Sequence, residues 1–271
     1  MNGSELSFLL RSAEFEFERR FDDRWALDWM RKHSNKSFLL CGLYAAFVFA
    51  GQRVMRERPK LNLRRPLMLW SLSLAVFSIL GALRTGLYML HIITTSGVRD
   101  SVCDNSFYSA PISKFWAFAF TLSKAPELGD TVFIVLRKQR LIFLHWYHHI
   151  TVLLYSWYSY QDQVAGGSWF TTVNFTVHAF MYSYYAARAA GLRVPRPCAM
   201  FITAAQILQM VMGLTVLGLV YRWFHEEHCH SSTGNITWGS LMYVSYLILF
   251  AAFFYDTYLK GSSQGKASKA E

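Results

Sequence analysis

The chain has 271 residues, is 53% hydrophobic and 17% aromatic, and carries a formal net charge of +10 at pH 7. This composition excludes a soluble domain built around a single core and indicates a membrane protein. The positive charge does not indicate a nucleic-acid partner, because no basic patch with interleaved aromatic residues occurs away from the flanks of the apolar stretches.

Residues 1–36 form a polar segment ahead of the first apolar stretch. They include seven basic and seven acidic residues and no long apolar run, so we expect no cleavable signal peptide here. The pattern predicts a polar N-terminal segment with some amphipathic helix.

Seven apolar stretches follow, and most are close to the length that a bilayer core requires. They predict an all-α membrane domain of seven transmembrane helices over residues 37–258, followed by a basic tail over 259–271. The stretches cover residues 37–52, 66–88, 115–136, 142–160, 168–187, 199–221 and 236–258.

The loops between these stretches alternate in charge, which predicts the orientation of the chain. Basic residues concentrate at 53–65, 137–140, 188–196 and in the C-terminal tail, whereas the other loops contain few. The positive-inside rule therefore places the N-terminus on the lumenal side and the C-terminus in the cytosol.

A cluster of histidines opens the fourth stretch. His145, His148 and His149 are spaced i, i+3 and i+4, so one face of a helix carries all three imidazoles. Titratable groups within hydrocarbon are costly unless they are paired or used in function. The cluster is therefore a candidate functional site rather than a hydrogen-bonded packing cluster.

Polar residues of neighbouring stretches fall at a similar depth. Lys124 and Glu127 can pair at i, i+3, and Pro126 between them can kink the third helix. The predicted topology gathers these residues in an enclosed site that is open to the cytosol. Its further candidate members are Asp130 on the third stretch, Asn174, His178 and Tyr182 on the fifth, and Gln206 and Gln209 on the sixth.

Three classes of protein can be weighed against these residues. A histidine-box metalloenzyme, such as a membrane desaturase or hydroxylase, needs several histidine boxes; the chain has one, so we expect no metal site. A seven-span receptor or transporter does not explain a histidine triplet at the cytosolic mouth. An enzyme whose imidazoles act as base and nucleophile explains it best.

Four motifs, taken together, resemble the signatures of the very-long-chain fatty acid elongase family. The resemblance covers essentially the whole chain and is strongest for the branch that elongates saturated and monounsaturated chains. It implies that spans two to seven form an inverted barrel around an acyl tunnel in the endoplasmic reticulum membrane. The motifs are Lys-x-x-Glu-x-x-Asp-Thr at 124–131, His-x-x-His-His at 145–149, His-x-x-Met-Tyr-x-Tyr-Tyr at 178–185 and Thr-x-x-Gln-x-x-Gln at 203–209.

The resemblance implies the condensing step of fatty acid elongation, in which a long-chain acyl-CoA and malonyl-CoA give 3-oxoacyl-CoA, CoA and carbon dioxide. No cofactor beyond these substrates is expected. His148 is the expected nucleophile, supported by His145, His149 and His178, while the other polar residues of the site are expected to orient the substrate or to be structural. Expected partners are membrane lipid and the other enzymes of the elongation cycle; a homo-oligomer is left open.

The lumenal loops carry candidate modification sites. Cys103 and Cys229 both face an oxidising compartment under the predicted topology, so we expect a disulfide between them. Asn2 begins the better glycosylation sequon. Asn235 begins another that lies close to the membrane, and the sequon at Asn174 is intramembrane and should stay unmodified.

The depth of the tunnel should act as a ruler for the acyl chain. Some of the bulky residues on the third and fifth stretches are expected to close its far end. A methylene that meets a closed end costs roughly 1–3 kcal/mol of overpacking, so the upper cutoff should be sharp. The resemblance places it near saturated substrates of about sixteen carbons. The candidates are Phe115, Trp116, Phe118, Phe120, Trp169 and Phe170.

Overall fold

The computed structural model describes residues 14–225 and 229–260, which are all-α and contain no strand. Asn2 and residues 261–271 of the basic tail lie outside the described residues. We number the α-helices in chain order, and short 3-10 turns occur at Asn105–Tyr108 and Pro126–Leu128. The helices are α1 Glu16–Arg20, α2 Asp23–His33, α3 Asn35–Arg56, α4 Arg64–Thr95, α5 Gly97–Cys103, α6 Ser113–Ser123, α7 Gly129–Leu136, α8 Phe143–Asp162, α9 Gly167–Ala190, α10 Arg196–Trp223 and α11 Thr233–Phe254, which a π-helix extends over Tyr255–Lys260.

Every apolar stretch is helical, but the stretches differ in length and polarity. Within residues 14–225 and 229–260, four helices are long and apolar enough to cross a membrane: α3, α4, α10 and α11 with its π-helical extension. The third stretch is broken into α6 and α7, and the fourth and fifth form α8 and α9, which carry most of the polar candidates. Several membrane-length helices are what a multi-pass membrane protein requires.

Pro126 interrupts the third stretch, as the sequence predicts. Helix α6 ends at Ser123, a 3-10 turn covers Pro126–Leu128, and α7 begins at Gly129. Proline has no backbone N–H to donate to the helix and its ring clashes with the preceding turn, so the α-helix cannot continue through it. The break places Lys124 and Glu127 at the turn between two short helices.

Helices α4 and α9 pack along one another more extensively than any other pair. Gly81 on α4 makes this close approach feasible, because a Cβ at that position would collide with the ring of Phe175 on α9. Helix α10 packs between α9 and α11, and α8 contacts α3, α6 and α11. The polar faces of α8 and α9 are thereby enclosed among the other helices.

The N-terminal segment is packed onto the membrane helices. Asp22 caps the start of helix α2, and its carboxylate accepts hydrogen bonds from Arg24 N and Trp25 N, each at 3.0 Å. The expected amphipathic helix is confirmed, since Ala26 and Met30 are fully buried in a cluster with residues of α6 and α8.

A buried carboxylate ties this segment to the rest of the fold. Glu18 Oε1 accepts from Arg84 Nε at 2.8 Å and from Trp116 Nε1 at 2.6 Å. Its Oε2 accepts from Arg84 Nη2 at 2.5 Å and from Phe15 N at 3.0 Å. Both oxygens are therefore satisfied although Glu18 is 0% exposed. This pair was not predicted from the sequence. The signal that could have revealed it is the position of Arg84 inside an apolar stretch, where a charged residue needs a partner.

The two cysteines of the expected lumenal loops form a disulfide. It joins Cys103, the last residue of α5, to Cys229 just ahead of α11. Asn235 on α11 is 1% exposed; its Oδ1 accepts from the Tyr155 hydroxyl at 2.7 Å and its Nδ2 donates to Ser159 Oγ at 3.2 Å. A glycan on this amide would displace both of these partners.

Replacement of the buried glutamate should strongly destabilise the protein. We expect Glu18→Ala to cost about 3–5 kcal/mol, because it leaves the Arg84 guanidinium buried without its partner. Thermal unfolding in detergent measures the effect. Glu16→Ala is the matched control, since Glu16 pairs with Arg20 on the exposed face of the same helix and should cost less than about 1 kcal/mol. Equal effects of the two substitutions would contradict the role assigned to Glu18.

Candidate functional site

The three histidines of α8 lie on one face near the start of the helix, as their spacing predicts. The ring centroids of His145 and His149 are 4.5 Å apart, and those of His148 and His149 are 5.6 Å apart. His145 Nε2 lies 3.0 Å from Thr131 Oγ1, which is in turn 2.7 Å from the Tyr44 hydroxyl. This chain of contacts holds the ring of His145 against α7 and α3.

His148 is held from the opposite side by α11. Its ring centroid lies 5.0 Å from that of Tyr246. The Tyr246 hydroxyl lies 2.5 Å from Thr151 Oγ1 and donates to the His148 carbonyl at 3.3 Å. Tyr246, which is 2% exposed, was missed by the sequence analysis because no short motif connects α11 with the histidine cluster.

An ion pair occupies the turn between α6 and α7. Lys124 Nζ donates to the two Glu127 oxygens at 2.9 and 3.1 Å, which confirms the i, i+3 pair. Lys124 also donates to Asn174 Oδ1 at 3.0 Å and lies 4.3 Å from the centroid of the Phe120 ring. The Ser123 hydroxyl donates to Glu127 at 2.8 Å. Lys124 and Glu127 are 2% and 3% exposed, so this pair is deeply buried.

His178 on α9 faces the same ion pair. Its Nδ1 lies 3.9 Å from Glu127 Oε2. Asn174 lies one helical turn before His178 on α9. Its Oδ1 accepts from Lys124 Nζ at 3.0 Å, which ties this part of α9 to the ion pair.

Asp130 at the start of α7 is bound by two donors from other helices. Its Oδ1 accepts from Trp70 Nε1 at 2.7 Å and its Oδ2 accepts from the Tyr182 hydroxyl at 2.8 Å. Trp70 was also missed by the sequence analysis, since the contact joins residues sixty positions apart. Asp130 thus fixes α7 between α4 and α9.

Two cavities meet at the histidine cluster. The outer cavity has a volume of about 320 Å³, and every predicted catalytic or substrate-binding residue except Lys124 lines it. Gln206 lies on its wall, where its Nε2 approaches Met181 Sδ at 3.4 Å. The inner cavity has a volume of about 70 Å³ and continues between α6, α8, α9, α10 and α11. The residues that line both cavities are His148, Asn174, Gln209 and Met210.

The inner cavity ends between α8 and α9. Tyr108, Tyr160, Val164 and Gly167 line this end. The Tyr108 hydroxyl donates to the Val164 carbonyl at 3.2 Å. A Cβ at Gly167 would collide with that hydroxyl, so glycine is needed for the tyrosine to cross the end of the cavity.

Only part of the expected aromatic set lines this cavity. Phe120 and Phe170 line its wall. Phe115 and Phe118 line a separate apolar cleft at the surface. The remaining two bind polar groups elsewhere: Trp116 donates to Glu18, and Trp169 donates to Ser101 Oγ at 3.1 Å. Bulk alone did not distinguish the rings that face inward from those that face the neighbouring helices.

In the part of the chain that the structure describes, no group of three or more His, Cys, Asp or Glu residues is arranged so that it could hold a metal ion.

Apolar helices enclose a polar, histidine-rich site where two cavities meet. This arrangement is typical of an enzyme embedded in a membrane. The model of the ELO family, described as the GNS1/SUR4 family, matches residues 29–266, and the chain belongs to this family. The resemblance carried by the four motifs is confirmed.

Individual relatives extend the comparison over nearly the whole chain. Human very long chain fatty acid elongase 6 is 61% identical over 263 residues, which cover 97% of this chain and 98% of the relative. Its Drosophila melanogaster namesake is 46% identical over 250 residues, covering 90% and 79%. Human very long chain fatty acid elongase 3 is 42% identical over 266 residues, covering 97% and 95%.

Proposed function

We propose that this protein catalyses the condensing step of fatty acid elongation, which joins a long-chain acyl-CoA to malonyl-CoA with release of CoA and carbon dioxide. The observation that carries the proposal is the position of His148 at the junction of two cavities. The inner cavity is narrow and suits an acyl chain, while the outer one has room for the thioester and a second substrate.

The chemistry begins with transfer of the acyl group to His148. The neutral imidazole attacks the thioester carbonyl, the carbon–sulfur bond breaks, and the CoA thiolate leaves with the imidazole proton. The product is an acyl-imidazole, which is activated toward a carbon nucleophile. An imidazole needs no metal for this step.

The second half-reaction forms the carbon–carbon bond. Malonyl-CoA loses carbon dioxide to give an enolate, which attacks the acyl carbonyl and expels the imidazole. The imidazole takes up a proton and regains its starting state. His145, His149 and His178 line the outer cavity and are the donors assigned to the developing oxyanion, where fixed dipoles in a dry site act most strongly.

The buried ion pair positions the second half of the site. Lys124 and Glu127 bind each other, and they also approach Asn174 and His178 on α9. Lys124 and Glu127 therefore act indirectly, by positioning α9 beside the substrate. The hydrogen bond between Asp130 and Tyr182 positions α7 in the same way.

We further propose that all seven apolar stretches span the membrane, with spans two to seven as an inverted barrel around the acyl tunnel. The broken third stretch and the polar faces of α8 and α9 are compatible with spanning, since they face the enclosed site. Loop charges support a lumenal N-terminus and a cytosolic C-terminus, and the family supports the endoplasmic reticulum membrane.

Removal of the proposed nucleophile should abolish elongation. We expect His148→Ala to lower the rate with palmitoyl-CoA and labelled malonyl-CoA by at least about 10³-fold, because none of the other three imidazoles lines both cavities and can replace it as acyl acceptor. Membranes that contain this protein as their only elongase provide the assay. His33→Ala is the matched control, since that histidine lies on α2 and bonds the Trp29 carbonyl; we expect it to retain activity. A His148→Ala enzyme with near-normal turnover would refute the proposal.

The depth of the inner cavity predicts the chain-length cutoff. Tyr160 lies twelve residues beyond His148 on α8, which corresponds to about 18 Å along the helix. A saturated chain advances roughly 1.25 Å per carbon, from C–C bonds of about 1.5 Å at tetrahedral angles. An acyl chain that runs from His148 to Tyr160 is therefore about fifteen or sixteen carbons long, and rates across a saturated acyl-CoA series should fall sharply beyond that length.

Opening the far end should move this cutoff. We expect Tyr108→Ala to shift the acyl series toward longer chains by several carbons, and the ratio of long to short substrates is the readout. Phe115→Ala is the control, because Phe115 lines the separate surface cleft and should leave the cutoff in place. An unchanged cutoff in Tyr108→Ala, or a flat profile well past eighteen carbons in the natural enzyme, would overturn the ruler.

A further inference from the structure

Two side-chain amides lie at the passage between the two cavities, where His148 is also found. Asn174 belongs to α9 and Gln209 to α10, and both residues line the inner and the outer cavity. Each amide carries two N–H donors and, unlike an imidazole, does not titrate. The thioester carbonyl must come to this passage if His148 is to attack it, so an amide here can donate to its oxygen.

The buried ion pair holds Asn174 in one orientation. Lys124 Nζ lies 3.0 Å from Asn174 Oδ1 and is itself bound by Glu127 at 2.9 and 3.1 Å. An ammonium group can only donate, so the amide atom that faces it is the oxygen, and the amide cannot be flipped. A charged donor on Oδ1 also polarises the amide and makes its N–H groups better donors.

The nitrogen of the same amide has no partner in the fold. Asn174 is 7% exposed, and its Nδ2 makes no hydrogen bond within residues 14–225 and 229–260. It is not sealed from the cavities in the way that the unpartnered hydroxyls of Tyr160 and Thr172 are. A buried donor normally has a partner, so an accessible one at the cavity wall is available to a substrate.

Gln209, the second amide at the passage, is not oriented in advance. It is 8% exposed and makes no hydrogen bond in the part of the chain that the structure describes. With neither end bound, it can turn its oxygen or its nitrogen to the cavity. Donors that are already in place stabilise a developing charge better than donors that must reorient. Asn174 is therefore the amide whose donor is in place before the substrate arrives.

We propose that Asn174 Nδ2 is an oxyanion donor, which hydrogen-bonds the carbonyl oxygen of the acyl group during its transfer to and from His148. This inference rests on the proposed condensing function and names a catalytic residue for it. As the imidazole nitrogen bonds to the carbonyl carbon, the π electron pair moves onto the oxygen. The carbonyl then re-forms, the carbon–sulfur bond breaks and CoA leaves. The same oxygen carries the charge again when the enolate attacks.

The experiment compares palmitoyl-CoA with its dithioester, in which sulfur replaces the carbonyl oxygen. The purified full-length protein, in excess, is mixed with each substrate alone, and the rate at which free CoA appears is measured. Sulfur is a weaker hydrogen-bond acceptor than oxygen and lies farther from the carbon, so a donor placed for oxygen favours palmitoyl-CoA. The readout is the ratio of the two rates within one variant, which a loss of folded protein does not affect.

Two substitutions of Asn174 should lower this ratio. We expect Asn174→Ala to lower the palmitoyl-CoA rate about 10²-fold and the ratio at least about fivefold, because the oxygen substrate loses more than the sulfur one. Asn174→Asp keeps the shape of the side chain and an oxygen for Lys124, but an ionised carboxylate has no hydrogen to donate. The ratio should fall to a similar extent in this variant.

Thr176→Ala is the matched control on the same helix. Thr176 is exposed and its hydroxyl donates to the Thr172 carbonyl at 2.8 Å. Both rates, and therefore the ratio, should match those of the natural protein.

A ratio that either Asn174 substitution leaves unchanged overturns the inference, even where both rates fall, because Asn174 then only supports the ion pair. This failure is distinct from failure of the condensing function. If the natural protein releases no CoA from palmitoyl-CoA, the proposed function is wrong. If it releases CoA and the ratio does not depend on Asn174, only the oxyanion donor is wrong.

Discussion

The buried ion pair between Lys124 and Glu127 is the interaction on which the rest of the site depends. Two opposite charges with exposures of 2% and 3% are tolerable in an apolar interior only when each has its full set of partners. Ser123, Asn174 and Phe120 supply those partners. The need to satisfy the pair therefore fixes the broken third stretch against α9, and it is this junction that His148 faces across the cavity.

The same physical requirement organises the opposite part of the molecule. Glu18 is fully buried and its carboxylate accepts four hydrogen bonds, from Arg84, Trp116 and the backbone of Phe15. The N-terminal segment is held in place by this pair, and α2 then packs in one cluster with Tyr108 and Tyr160. The residues that close the inner cavity thus pack against the N-terminal segment, which lies outside the apolar stretches.

Much of the site could be predicted from the spacing of residues along single helices, whereas contacts between distant positions could not be predicted from the sequence. The helix face of His145, His148 and His149 and the pair of Lys124 with Glu127 follow from helical periodicity, and Pro126 marks its own break. Contacts such as Trp70 with Asp130 join distant positions.

Which aromatic residues face inward could not be predicted from the sequence, for a related reason. Helix α6 is apolar nearly all round, so no periodic pattern distinguishes Phe120, which lines the cavity, from Phe115, which does not. The direction of each ring is set by the neighbours that pack on it. Tyr108 and Tyr160, which line the far end, come from a loop and from α8, outside the set of bulky residues considered from the sequence.

The central claim is that His148 carries the acyl group between two half-reactions. Its most direct test is to incubate the purified protein with palmitoyl-CoA alone, measure free CoA, and map the acylated peptide by mass spectrometry. The account predicts a burst of CoA close to one per enzyme molecule, with the acyl group on His148. Release of CoA only when malonyl-CoA is also present, with no acylated peptide, would contradict it.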